Sequence, residues 1–371
     1  MHTGLHGGAA LFGTEPPGLA ARLVGLRPHQ HRSSPLEHPR ELPFVVLAGG
    51  PGPGRSAVLD ELRDCYRGHT PVALIDGAQR RSCGPPPQRP PASWSPVADA
   101  LITAAEQLAE PVTGAGRIIF PRLATGLLAV AAGGWSDRDV MRVRREAERI
   151  LLLNDSASRL AGPWVGRVVA RLTASMPGTG PVVEPVIEAT LEAFSEGVSP
   201  TRLRLRKGAT WYRGHPDAGG SPRLGLTLLS DRFRAGGDSR THAERHLVRA
   251  LLADLGDAYA RPLRGTRRIG RPLVLIDNVQ EPPGRGLMEA VLHDRADGIA
   301  DRTAFFAALR GPAHPALRGA VRRTLPEVAR HSGWTPDTSP SSRALLVSLP
   351  PQSPGDGDGA GDRTPGDQTP A

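Results

Sequence analysis

Residues 43–56 read Pro-Phe-Val-Val-Leu-Ala-Gly-Gly-Pro-Gly-Pro-Gly-Arg-Ser, and this stretch decides the fold class. Its first part, Phe44–Ala48, is a continuous apolar run that predicts a buried strand. The glycines and prolines that follow predict a turn, and apolar residues at helical spacing then predict a helix over residues 56–67. The chain therefore has a strand, a glycine-rich loop (residues 49–54) and a helix in immediate succession.

Residues 49–56 fit the pattern of a phosphate-binding loop at every position but one, because Arg55 stands where a lysine is expected. Glycines in such a loop let backbone N–H groups turn inward around a phosphate at a helix N terminus, and the Ser56 hydroxyl would bind Mg²⁺. Arg55 is planar and Pro53 has no N–H, so both depart from an efficient site. The alternative interpretation is an ordinary turn between a strand and a helix. The residues predicted to cradle phosphates are Gly49, Gly50, Gly52, Gly54, Arg55 and Ser56.

A second motif comes much later in the chain. Leu273–Asp277 is an apolar run that ends in an acid, and such an acid at the carboxyl end of a strand can hold Mg²⁺ beside the Ser56 hydroxyl. Asp76 also ends a short apolar run and competes for the same role. The residue after Asp277 is Asn278, where many hydrolysing ATPases place a glutamate that activates water.

With these two motifs the chain resembles P-loop NTPases of the AAA+/STAND type, and more closely their regulator-like ATP-binding members. The helix predicted over residues 246–259 leads toward the second motif, as in that family. A further family strand ends in a small polar residue and an arginine that sense the nucleotide. Here Arg310 is the sensor candidate, but Ala308 and Leu309 stand where Ser or Thr is expected.

The resemblance implies ATP and Mg²⁺ as ligands, with Ser56 and Asp277 on the metal, and a regulatory switch as the function. Arg55, Asn278 and Ala308 all depart from an active NTPase, so hydrolysis is predicted to be slow or absent and the chain to be at most a weak ATPase. The partners expected are a nucleotide and an unidentified protein.

The predicted fold is α/β, a parallel sheet of about five strands flanked by helices, because the apolar runs are continuous rather than alternating. The chain divides into a poorly ordered segment (1–42), the glycine-rich loop with a second strand and a Pro-rich connector (43–94), a mainly helical insertion (95–270), the rest of the α/β core (271–349) and a disordered tail (350–371). Helices are predicted inside the insertion at residues 95–109, 137–153, 185–196 and 241–255.

The net charge of +9 and a pI near 10.8 raise a second function, a non-enzymatic scaffold or nucleic-acid-binding regulator. Read as a strand, residues 202–206 place Arg202, Arg204 and Arg206 on one face, with Trp211 close behind to stack on a base. The competing interpretation is a solvated edge strand. Lys207 is the only lysine, so the basicity reflects an arginine-rich composition as much as a polyanion partner.

The remaining features predict a soluble cytoplasmic protein without membrane association. Two cysteines are too few for a disulfide framework, and the most apolar stretch, residues 118–134, contains Pro121 and Arg122. His242 and His246 lie four residues apart on a predicted helix and His215 is nearby, but no glutamate follows His242 to complete a zinc motif, so no metal is predicted there.

Overall fold

The computed structural model describes residues 8–13, 17–27, 41–49, 54–78, 94–113, 115–132, 200–260, 270–311, 314–330 and 334–350. The helices predicted over residues 137–153 and 185–196, and the tail at 350–371 beyond its first residue, lie outside these ranges.

The described strands form one six-stranded sheet in the order β2-β3-β4-β1-β6-β5, and every pairing is parallel. The α/β class is therefore confirmed, with one strand more than expected. The additional strand is β5, a four-residue edge strand whose side chains alternate between half-buried and exposed, so it lacks a continuous apolar run. The strands are β1 (Phe44–Ala48), β2 (Val72–Asp76), β3 (Leu273–Asp277), β4 (Ala304–Leu309), β5 (Val321–Thr324) and β6 (Ala344–Ser348).

The sheet is covered by helices on both faces, which explains the continuous apolar runs. Successive side chains of a strand point to opposite faces. In β1, Phe44 and Val46 join one apolar core, while Val45 and Leu47 join the other, and all four are fully buried. A strand in this environment needs apolar residues at every position.

Two groups of helices supply these two cores. On the face of Phe44, the helices are α4 (Pro96–Leu108), α5 (Pro121–Ala132), α6 (Pro200–Trp211), α7 (Pro222–Ala235), α8 (Gly237–Ala260) and α9 (Pro282–Ala296). On the other face they are α1 (Gly8–Phe12), α2 (Leu19–Val24), α3 (Gly54–Tyr66) and α10 (Leu325–Arg330). None of these described helices is both long enough and apolar enough to cross a membrane.

The helical insertion shares its apolar core with the sheet. Helix α4 lies beside β2, the strand at one edge of the sheet. The Gln107 side chain of α4 accepts a hydrogen bond from Leu74 N at 2.9 Å and donates to Leu74 O at 3.0 Å. Because an edge strand otherwise leaves such groups unpaired, Gln107 closes this edge against further strands.

The N-terminal segment differs from the prediction of a poorly ordered lead-in. Within the described residues 8–13 and 17–27 the structure has helices α1 and α2, and Leu11, Leu19 and Val24 are buried in the core on the α3 face. The two helices are only five and six residues long, so their periodicity is too short to be read from sequence. Tertiary packing stabilises them.

Candidate functional site

The carboxyl ends of the parallel strands meet at one edge of the sheet, and the predicted site residues lie there. Strand β1 leads into the glycine-rich loop, β2 ends at Asp76 and β3 ends at Asp277. Asp76 and Asp277 are partners in the register of β2 and β3. Ligands of open α/β sheets bind at this edge, outside the carboxyl ends of the strands.

Ser56 and Asp277 converge although they are 221 residues apart in the chain. Ser56 lies in the first turn of α3, and its Oγ donates a hydrogen bond of 2.8 Å to Asp277 Oδ2. The second carboxylate oxygen, Oδ1, accepts a hydrogen bond from Asn278 N at 2.9 Å. Both side-chain positions are half-buried, so the pair is held in place and still open on one side.

The Arg55 side chain bonds to the backbone at the start of the glycine-rich loop. Its side chain is buried, with 7% exposure, and Nη1 donates to the Gly49 carbonyl at the start of the loop. A guanidinium carries five N–H donors on a long side chain, which lets it bond back to the loop backbone where a lysine would extend to the phosphates. Gly49 remains at the carboxyl end of β1, whereas Gly50 and Gly52 lie outside the described residues.

The start of α3 supplies backbone donors at the same edge. The helix begins at Gly54, and the N–H groups of its first residues have no acceptor within the helix. Such groups together with the helix dipole favour an anion. Gly54, Arg55 and Ser56 therefore present their backbone where the motif places a phosphate.

Asn278 connects the two acids, and sequence reasoning did not foresee this role. Its backbone has a positive φ of 54°, and its side chain is buried. Its Nδ2 donates to Asp76 Oδ1 at 3.0 Å, an oxygen that also accepts from Ala78 N at 2.9 Å. Asparagine tolerates a left-handed backbone better than most residues, which is the one sequence signal for this turn. Asp76 thus bonds Asn278, and Asp277 bonds Ser56.

Gly77→Ala is expected to destabilise the protein by about 1–3 kcal/mol, because the site edge has no room for a methyl group. A Cβ at residue 77 would lie 2.7 Å from Asn278 O and 3.2 Å from Asp277 O. The ends of β2 and β3 would have to separate. Urea unfolding measures the change, with Gly256→Ala as the control, because a Cβ there meets nothing within 4 Å. Equal stabilities of the two variants would contradict the close approach.

The sensor candidate Arg310 lies at the same sheet edge. It follows β4, the neighbour of β1, and its side chain is exposed. Its backbone N donates to Gln280 Oε1 at 3.0 Å, which ties the end of β4 to the turn after β3. The arginine is therefore close in the fold to the end of β3, with its guanidinium facing solvent.

The basic segment predicted as a strand is helix α6, so that prediction is wrong. At 3.6 residues per turn, positions 202 and 206 fall on one side of a helix and position 204 nearly opposite. Positions 202, 204 and 206 therefore do not share one face, as the strand interpretation required. Trp211 is half-buried, with its ring centroid 4.9 Å from that of His246, so it belongs to an aromatic cluster inside the protein. The alternation of leucine and arginine over residues 202–206 has the period of two that is typical of a strand, although the segment is helical.

The three histidines are apart from the carboxyl edge. The His215 and His246 ring centroids are 4.7 Å apart, while His242 is exposed and its Nδ1 lies 2.7 Å from Asp238 O. Within the described residues there is no group of three or more His, Cys, Asp or Glu side chains arranged to hold a metal ion. His246 is instead a buried aromatic residue of the α8 face.

His246 is expected to make the stability of the protein depend on pH. Burial, followed by the charges of His215, Arg249 and Arg232, lowers the pKa of His246 to about 3 from its usual 6.5. Below about pH 6.5 the unfolded chain binds a proton that the folded chain excludes, so stability falls as the pH falls toward 3. His246→Phe should reduce the loss of unfolding free energy between about pH 7 and pH 4.5 by about 2–3 kcal/mol, measured by urea unfolding. His242→Phe is the exposed control, and an unchanged pH slope in His246→Phe would refute the assignment.

No protein-family model, no curated protein and no solved structure matches the chain. The function is therefore inferred from the geometry of the site, namely the Ser56–Asp277 hydrogen bond, the start of α3 and the Asn278 turn.

Proposed function

We propose that the chain binds ATP together with Mg²⁺ at the carboxyl edge of the sheet and acts as a regulatory switch, with slow or no hydrolysis. The observation that carries the proposal is the 2.8 Å hydrogen bond from Ser56 Oγ to Asp277 Oδ2. A serine that follows a glycine-rich loop and an acid that ends a buried strand are the two protein groups that Mg²⁺ uses in such sites. The first motif by itself also fits an ordinary turn, and the convergence of both favours a ligand site.

The donor set fits Mg²⁺. A hydroxyl oxygen and a carboxylate oxygen are hard ligands, and Mg²⁺ binds few protein groups, keeping waters and phosphate oxygens as its other ligands. Adjacent ligands of an octahedral ion with bonds of about 2.1 Å lie about 3.0 Å apart. The Ser56 and Asp277 oxygens are 2.8 Å apart, so small movements suffice for both to coordinate one ion.

Two residues support slow hydrolysis. Asn278 stands where many hydrolysing ATPases of the family that the chain resembles carry a glutamate. An amide cannot take a proton from water as a carboxylate can. Its Nδ2 bonds Asp76 and its backbone turn is left-handed, so it holds the acids in position. Arg55 bonds the Gly49 carbonyl, so its guanidinium is partly used within the loop. Binding without rapid turnover suits a switch.

The test is direct binding by the purified full-length chain. Isothermal titration calorimetry with ATP is run with Mg²⁺ and, separately, with EDTA, and released phosphate is measured over hours. We expect saturable binding that is stronger with Mg²⁺, together with phosphate release far below about 1 s⁻¹. Absence of heat and of any thermal shift with MgATP would refute nucleotide binding, and rapid turnover would refute the switch.

Arg55→Lys is expected to strengthen MgATP binding by about 3–10-fold or to raise turnover, since a lysine supplies a compact charge to the phosphates. The same change removes the bond to Gly49 O, so the nucleotide-free protein should lose about 1–2 kcal/mol of stability. Titration calorimetry and urea unfolding measure the two effects. Arg55→Gln is the uncharged control. If neither affinity nor turnover changes, residue 55 does not contact phosphate.

A further inference from the structure

A cavity of about 460 Å³ lies at the opposite edge of the sheet from Ser56 and Asp277. It is bounded by α8, α9, the end of α6 and the segment over residues 299–302 that leads into β4. Because that segment enters β4 at its amino end, the cavity is separate from the nucleotide site at the carboxyl edge. Its volume is in the range of small-molecule pockets, about 300–1,000 Å³.

Part of the cavity lining is apolar and suits a flat ring. Trp211, Leu252 and Ile299 contribute to it. Ile299 is 38% exposed, and it and Leu224 are the exposed large hydrophobic residues of the described chain. An indole ring beside aliphatic side chains favours an aromatic ligand, because paired aromatic rings contribute binding free energy beyond that of the surface area that they bury.

The lining also contains a buried polar atom without a hydrogen-bond partner among the described residues, on a ring whose centroid is 4.9 Å from that of Trp211. His246 lines the cavity, is 9% exposed, and its Nε2 makes no hydrogen bond within the described structure. Buried polar groups are nearly always paired, so an unpaired one beside a cavity calls for a ligand group or water. The imidazole is neutral at physiological pH, and can therefore accept or donate one hydrogen bond.

The charges around the cavity leave one cation in excess. Asp294 and Asp297 are paired with Arg245 and Arg249, and Asp301 is paired with Arg295. Arg302 lines the cavity and has no ion pair among the described residues. An anion placed there meets a guanidinium that is not already neutralised, which is the arrangement that attracts a carboxylate.

Gly256 keeps the cavity open. It lies inside the 24-residue helix α8, where glycine is an unfavourable residue, and it lines the cavity. A Cβ at this position would meet no heavy atom within 4 Å. A larger side chain can therefore be introduced without a clash, and it would occupy space that the ligand needs.

We propose that this cavity binds a small aromatic carboxylate, with its ring against Trp211 and its acid group at Arg302. A neutral acceptor or donor on the ligand ring would satisfy His246. The site is independent of the nucleotide site, and both can be occupied at once.

The probe is 2-naphthoate, compared with the neutral 2-naphthylmethanol and the cationic 2-naphthylmethylamine, by titration calorimetry on the full-length chain. We expect one saturable site and binding of the naphthoate at least about fivefold tighter than of the neutral alcohol. Equal affinities for the three probes would overturn the anionic class, and absence of saturable binding would overturn the site.

Variants decide where the probe binds. Gly256→Leu should abolish naphthoate binding, whereas Gly256→Ala, which leaves most of the cavity, should retain it within about threefold. Arg302→Gln, an exposed change that keeps the fold, should reduce the preference for the anion to less than about twofold. Ser56→Ala, a change in the separate nucleotide site, should leave the affinity for naphthoate unchanged. Unchanged naphthoate binding in Gly256→Leu or in Arg302→Gln would place the probe elsewhere and refute the proposal.

Discussion

Asp277→Asn is expected to weaken the binding of MgATP by at least about 100-fold, because it removes the charged oxygen ligand that we propose for the ion. Asparagine has nearly the same shape, so the fold and the contact with Ser56 are kept. The advantage of Mg²⁺ over EDTA in titration calorimetry should disappear with it. Affinity for ATP without the metal should change much less, since backbone N–H groups at the start of α3 would bind the phosphates in the proposed site.

The neighbouring acid provides the matched control. Asp76 is the register partner of Asp277 but bonds Asn278, so Asp76→Asn should leave MgATP affinity within about threefold. Ser56→Ala should weaken MgATP binding as Asp277→Asn does. The double variant Ser56→Ala/Asp277→Asn should bind MgATP only slightly more weakly than the weaker single variant, because both groups are proposed to bind one ion. If Asp76→Asn is the damaging change, the two acids have exchanged roles. Additive losses would mean that the two residues act separately.

Arg295→Leu is expected to destabilise the protein by about 3–5 kcal/mol, the largest stability effect that we anticipate. The Arg295 side chain is 7% exposed and forms a bidentate pair with Asp301, itself 4% exposed, at 2.7 and 3.0 Å. The same guanidinium donates to Leu42 O and Thr303 O, each at 2.9 Å. Leucine leaves one buried carboxylate without its cation and two carbonyls without donors.

The pair ties three parts of the fold together, which is why its loss should be global. Arg295 ends α9, Leu42 precedes β1 and Thr303 precedes β4. Urea unfolding followed by circular dichroism measures the change. The control is Arg67→Leu, which breaks the exposed pair with Glu110 and should cost less than about 1 kcal/mol. Similar losses in both variants would show that the burial of the pair is unimportant.

The central strands were predictable because each is a continuous apolar run, and a polar residue occurs only at the carboxyl end of β3 and of β6. Phe44–Ala48 and Leu273–Asp277 appear in the structure with the predicted bounds. Strand β5 contains Arg322 and Arg323 and lies at an edge, where only half of each strand contacts the core. Helix α6 was misread for a related reason, since alternating Leu and Arg fit a strand of period two and tertiary contacts decided otherwise.

Within the candidate site, the sequence motifs identified Ser56 and Asp277, the proposed Mg²⁺ ligands, but not the groups that hold them. Ser56 and Asp277 were identified by motif, and their convergence follows from two parallel strands ending at one edge. The bond from Arg55 to Gly49 O and the bond from Asn278 to Asp76 depend on side-chain direction and on a left-handed backbone. Neither bond can be read from a residue pattern, because each depends on where the donor and the acceptor lie in the folded protein.

The amino-acid sequence was sufficient to predict the α/β class, the position of the glycine-rich loop between strand and helix, and the acids that end β2 and β3. These depend on local periodicity and on residue type, which neighbouring residues in the chain specify. Which acid meets Ser56, where the Arg55 guanidinium goes and that a cavity lies beside His246 follow from the three-dimensional structure alone. The first depends on strand order, which brings together residues 221 positions apart, and the other two depend on side-chain packing, for which close-packed interiors leave few alternatives.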